Sequence, residues 1–222
     1  QMCVRVIGQV RKQIEWKRST CEMVRKEYSA GAVKLSFWFL EFKKTVELLA
    51  NGIEMTEIRR QALEENLYAA PSADRAKQIF QTVSARIQSL DESFYPIFQK
   101  GDISTQKLLA LTAVMVYDTL FFDFVYEVLR EKMIIGSDEF SDKDIRIFFK
   151  DKQQQNEKAA RWTDYTCKRL GRCYKTMLFE AGITDKEKEI RKIKKPILEP
   201  ELEQWLMEHD LEPVIKALTG VR

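Results

Sequence analysis

With 222 residues, 45% of them hydrophobic and 32% charged, the chain can bury a real core as one large domain or two small ones. Five prolines and eight glycines argue against a loop-rich β-sandwich, and a single histidine, His209, excludes any site built on two imidazoles and leaves little room for a Ser-His-Asp triad. The net charge of +3 conceals strong patterning: residues 1–34 carry +5, 35–140 carry −5, 141–195 carry +7 and 196–222 carry −4. A chain of this kind can present a positive face to nucleic acid while staying near neutral overall.

The first stretch, from Met2 to about Glu27, is basic and weakly amphipathic, with Val6, Val10, Ile14 and Trp16 as its apolar points. Arg5, Arg11 and Lys12 interrupt any signal-peptide-like run. Ser29-Ala30-Gly31-Ala32 reads as a break, followed by a helix from Leu35 to Ala50 that stops at Asn51-Gly52. Thr56 is expected to cap a short helix to about Leu67, and Ser72 a third in which Ala76, Ile79, Phe80, Val83, Ile87 and Leu90 recur at helical spacing. These three helices are compatible with a helix-turn-helix module. The polar face of the third, with Arg75, Gln78, Thr82 and Arg86, is a secondary candidate for phosphate or base contacts.

Asp102-Ile103-Ser104 opens the most hydrophobic element, expected as one central helix of about thirty residues from Ser104 to Met133. Asp118 and Asp123 interrupt it. At five apart, with no histidine or further acid nearby, they suit buried or rim carboxylates paired with arginine or capped by hydroxyls better than a metal or acid–base pair. Its longest uncharged apolar run, Leu108 to Tyr117, is far below the roughly 20 residues of a spanning helix.

Ser141-Asp142-Lys143-Asp144 caps a further helix through Ile145, Ile147, Phe148 and Phe149. A short helical piece at 157–161 follows, then a longer helix from Thr163 to Ala181 that Gly182 ends. Ile190, Ile193, Ile197 and Leu198 fit one or both arms of a short β-hairpin, and Pro200–Met207 and Pro213–Leu218 close the chain as acidic helices. Helix, short helix, longer helix and basic hairpin are the order of a winged helix-turn-helix. Three regions follow: a basic extension (1–34), an N-terminal helical domain (35–140) and a C-terminal winged-helix-like domain (141–222).

The helix after Thr163 carries the main candidate site. Cys167, Leu170, Tyr174, Met177, Leu178 and Ala181 define its buried stripe. Lys168, Arg172 and Lys175 repeat on another face, with Arg169 beside them and Arg161 just upstream, unpaired by acids at the same spacing. Arg191, Lys192, Lys194 and Lys195 follow where a wing would lie. Nucleic-acid phosphates are the natural partner of such a face. The four cysteines, Cys3, Cys21, Cys167 and Cys173, have no zinc or redox spacing and read as free structural thiols. No glycine-rich phosphate loop, GxSxG elbow or HExxH motif is present, so no catalytic residue, metal or cofactor is assigned and no small-molecule substrate is expected.

Segments spread over nearly the whole chain resemble the BrxA family, small accessory proteins of bacteriophage-exclusion (BREX) defence systems. They are YSAGAVKLSFWFLEFKKTVELLANG at 28–52, RIQSLDES at 86–93, LFFDFVYEVLREKMIIGSDEFSDKDIRIFFKDKQQQNEKAARWTD at 120–164, LFEAGI at 178–183 and PILEPELEQWL at 196–206. The first 27 residues depart from the family pattern. The resemblance implies a cytoplasmic bacterial protein encoded beside other BREX proteins, a mainly helical fold likened to the antitermination factor NusB, and DNA binding rather than catalysis. The expected function is therefore non-enzymatic binding of double-stranded DNA with low sequence specificity. RNA binding, or docking on a defence partner through an exposed side of the long apolar helix, stands as the alternative.

Overall fold

A computed structural model describes residues 25–221; residues 1–24, most of the basic first stretch and with it Cys3 and Cys21, lie outside the described residues. The chain enters across elements distant in sequence. Arg25 and the Tyr28 hydroxyl both donate to Asp123, at 2.5 and 2.6 Å. Ser29 then caps a 3-10 turn, Ala30–Lys34, where the sequence suggests only a break. Helix α1, Phe39–Ala50, starts four residues later than its apolar pattern implies. Trp38 stands in the left-handed region at φ 52°, and the carbonyls of Ser36 and Phe37 accept from the Arg86 guanidinium instead of from helical amides.

Helices α2 (Met55–Glu64) and α3 (Ala73–Ile87) follow, with the Ser72 hydroxyl accepting from the Arg75 amide as the cap pattern predicts. A 3-10 turn, Glu92–Phe94, leads into the short α4, Tyr95–Lys100. Phe42 stacks on Phe94, Phe98 meets both rings at steeper angles, and Trp205 from near the C-terminus meets Phe94 edge-on.

The single thirty-residue helix expected from Ser104 to Met133 does not exist. Helix α5, Ile103–Tyr117, and helix α6, Thr119–Ile134, meet at an angle of 111°. Asp118 makes the corner: its backbone is extended and its carboxylate accepts from the amides of Leu120 and Phe121, so it starts a new helix instead of continuing the old one. Composition hides this, because both arms are apolar nearly all round. Within α6 the stretch Val125–Arg130 is wound as a π-helix, against which the C-terminal helix packs. Among the described residues no single helix is long and apolar enough to cross a membrane. The bent α5–α6 pair passes that test on composition only, and its residues fill the core.

Strand β1, Glu139–Ser141, pairs antiparallel with β2, Ile190–Lys192, setting Phe140 opposite Arg191. This two-stranded sheet replaces the hairpin expected from Ile190 to Leu198. The partner of β2 comes from about fifty residues upstream, drawn in because Phe140 of β1 is buried in the core. A lone antiparallel bridge from Thr184 to Ile193 is all that remains of a local second arm, and Ile197 is 91% exposed. Between the strands run α7 (Asp142–Gln155), α8 (Glu157–Ala160) and α9 (Asp164–Glu180). Helices α10 (Pro200–Glu208) and α11 (Glu212–Thr219) complete eleven helices among the described residues, as a mainly helical chain predicts. One contiguous hydrophobic cluster joins most of these elements, from Ala32 to Leu218.

Asp123 is a buried, paired carboxylate, as its setting in the sequence suggests. Besides Arg25 and Tyr28 it has Lys152 at 3.7 Å, and Lys152 donates to Glu127 at 2.5 Å. Burial pulls the Lys152 ammonium down, but its hydrogen bond to Glu127 and the charges of Asp123 and Glu127 outweigh this and raise it.

Candidate nucleic-acid interface

The site is built on α7 and α9. Ser141 and Asp144 form a capping box at the start of α7, with the Ser141 amide and hydroxyl both donating to Asp144 at 2.8 Å. Thr163 caps α9 by accepting from the Thr166 amide. Apolar residues on both helices face the core: Ile145, Phe148 and Phe149 from α7, and Leu170, Tyr174, Met177 and Leu178 from α9. Cys167 and Cys173 are free, half-buried thiols, and burial raises both. The helices run antiparallel: Lys175, late in α9, pairs with Asp142 at the start of α7, while Gln153 reaches the Trp162 carbonyl just before α9.

Between them lies a groove of about 660 Å³. Arg146 and Lys150 line one wall, Lys168 and Arg172 the other, and Ile145, Phe149, Cys167 and Gly171 also contribute to it. None of these four cations makes an ion pair with another described residue. Asp142 and Asp164, the first residues of the two antiparallel helices, stand at opposite ends of the groove.

The residues singled out from sequence divide into two groups. Arg161, Lys168, Arg172, Lys192, Lys194 and Lys195 are exposed. The remainder are held by the fold. Arg169 leans away, donating to the Val33 carbonyl at 3.3 Å and lying over the Tyr165 ring. Lys175, which helical spacing left unpaired, meets Asp142 at 2.6 Å, donates to the Lys188 carbonyl at 3.2 Å, and keeps only 12% of its side chain exposed. Arg191 is 9% exposed and donates to the carbonyls of Lys175 and Asp185, at 2.8 and 3.2 Å; burial lowers its pKa. These two side chains fasten the loop 185–189 to α9.

The secondary candidates on α3 are also tied down. Arg86 is 2% exposed, its pKa lowered to about 10 by burial, and its guanidinium serves the Ser36 and Phe37 carbonyls. Arg75 lies over the Trp38 ring, bonding Gln78 and the Lys34 carbonyl, and Thr82 is buried. A helix wheel shows the Arg75–Gln78 contact but not the rest, because the carbonyls that claim Arg75 and Arg86 lie some forty to fifty positions away. Conversely, Arg146 and Lys150 join the site although the apolar stripe of α7 gives no sign of them. Their four-residue spacing on one face was the available signal.

Among the described residues no three His, Cys, Asp or Glu side chains stand close enough to hold a metal ion. The BrxA family model matches residues 26–210. The chain belongs to the BrxA family. It is 38% identical over 177 residues to the BREX protein BrxA of Bacillus cereus (strain H3081.97), covering 79% of this chain and 88% of that one. To the BREX protein BrxA of Escherichia coli O9:H4 (strain HS) it is 22% identical over 182 residues, covering 82% and 85%. The crystal structure of an uncharacterized protein from Magnetospirillum magneticum aligns with a TM-score of 0.73 and 19% identity, over 88% of this chain and all of that one. That likeness extends the BrxA-type fold and says nothing of function. This BrxA-family chain is thus a BREX protein that carries exposed cations on both walls of the α7–α9 groove and at the end of β2.

Proposed function

We propose that this chain is a non-enzymatic, double-stranded-DNA-binding component of bacterial BREX phage defence, acting beside other BREX proteins in the cytoplasm. One observation carries the reading: Lys168 and Arg172 of α9, with Lys192 at the end of β2 and Lys194 and Lys195 just after it, are exposed without an ion pair among the described residues. Cations so arranged repel one another, and a polyanion relieves that repulsion. The order β1, α7, α8, α9, loop 185–189, β2 supports a winged helix-turn-helix in which α9 lies on the nucleic acid and the loop is the wing. Lysine and arginine at phosphates position a protein without reading bases, so specificity is low. Docking through the long apolar helix has little to support it, since nearly all of α5 from Thr105 to Met115 is buried.

A mobility-shift titration with matched duplex DNA, single-stranded DNA and RNA at two salt concentrations tests this, with K168E/R172E beside the wild type and circular dichroism to check folding. Salt-sensitive duplex binding, lost in the folded variant, is the expected result. Failure of all three ligands to bind at low salt overturns the proposal in favour of a protein-docking role. Preference for single strands or RNA transfers the same face to the RNA reading.

A further inference from the structure

The groove between α7 and α9 is more than an edge of the α9 face. Its α7 wall has cations of its own, Arg146 and Lys150, one helical turn apart, exposed, and free of ion pairs among the described residues. They look across the groove toward Lys168 and Arg172, also one turn apart, on an antiparallel helix. Two parallel rows of cations form a channel, whereas a helix laid into a groove of DNA needs only one row. The acids do not spoil it: Asp142 and Asp164 sit at its two ends, and Asp142 is neutralised by Lys175 at 2.6 Å. A linear polyanion whose charged groups each offer acceptor oxygens to both walls matches such a channel, and a sugar-phosphate strand, with two non-bridging oxygens on every phosphate, is one.

We infer that this groove seats one phosphodiester strand of the bound nucleic acid, with Arg146 and Lys150 of α7 as binding residues facing Lys168 and Arg172. This rests on the nucleic-acid reading above and adds a second wall to it. Cys167, half-buried in the same groove, offers a built-in reporter of occupancy.

The test uses the full chain and a fluorescent duplex of about 20 base pairs, with anisotropy titrations across a range of salt. For R146Q/K150Q the plot of log Kobs against log salt flattens by about 1.8, from two lost contacts at roughly 0.9 each. Its affinity near 0.1 M salt falls by about tenfold or more. In the wild type, saturating duplex slows alkylation of Cys167 by iodoacetamide several-fold, read by mass spectrometry, while Cys173 outside the groove is unchanged. Arg146 and Lys150 are exposed, so the variant keeps the wild-type melting curve, which is checked. If K168Q/R172Q loses binding while R146Q/K150Q keeps the wild-type slope, the second wall is refuted and DNA binding stands. A flattened slope without protection of Cys167 also refutes the seat, since the cations then act only at a distance. A wild type that binds no nucleic acid overturns both this inference and the function it rests on.

Discussion

Gly171 of α9 faces Ile145 of α7 so closely that a Cβ at position 171 would lie 2.7 Å from the Ile145 Cγ2. This contact sets how near the two walls of the basic groove come. Ile145 is β-branched and buried, so it cannot swing aside. Gly171→Ala would ordinarily gain about 0.5–1 kcal/mol in a helix interior. Here the clash dominates, and the variant is destabilised by about 1–3 kcal/mol in urea unfolding. A stabilised G171A protein would show that the helices separate freely.

Arg86 holds the approach to α1 by donating to the Ser36 and Phe37 carbonyls from a nearly closed site. Arg86→Met leaves both acceptors without that donor, and costs about 2–4 kcal/mol. Measured on protein that remains folded, the salt slope of duplex binding stays at the wild-type value, because this guanidinium touches no phosphate. A reduced slope would return Arg86 to the interface.

Asp144 gives a pH signature. Burial alone pushes its carboxyl up, but the hydrogen bond and charge of Lys132 at 2.9 Å, with the Ser141 amide and hydroxyl, hold it below the ordinary carboxylate range. A folded pKa below the unfolded one means the native state binds this proton less readily. Its contribution is therefore fully present above the unfolded value of about 4 and is lost as pH falls through the folded pKa. Asp144→Asn keeps a cap-type side chain but loses the ion pair. It lowers stability at pH 7 by about 1 kcal/mol and flattens the acid limb of the stability–pH curve, as urea midpoints at pH 3 to 7 will show.

Lys175 bridges Asp142 and the Lys188 carbonyl, so its loss acts on the 185–189 loop more than on charge. In Lys175→Met the loop's amides exchange several-fold faster by hydrogen–deuterium exchange. Trypsin cleaves faster at Lys186 and Lys188. Unaltered exchange at 185–189 would place the loop's anchor wholly on Arg191.

Much of this fold is legible along the chain because its determinants are local. Ser72, Asp102, Ser141 and Thr163 each announce a helix start through a side-chain oxygen within three residues of the amide it serves. The apolar stripe of α9 follows from period alone. Asp118 shows where such reading stops. Within an apolar run its cap bonds reach only Leu120 and Phe121, yet the same short geometry occurs in side chains that leave a helix straight, and burial of both arms made the corner worthwhile.

By itself, the sequence determined the helical class, most helix starts, the alternating charge blocks and the exposed cations Lys168 and Arg172, because each depends on neighbours within a turn or two. Tertiary structure decided which basic residues remain free. Arg86 is claimed by carbonyls 49 and 50 positions away, Lys175 by an acid 33 away, and Arg191 by a carbonyl 16 away. It also joined Arg146 and Lys150 to Lys168 and Arg172 across one groove, which no spacing along a single helix contains. A long cationic side chain satisfies itself with whatever acceptor the packed core leaves within reach, and that acceptor is set by folding distance, not by sequence distance.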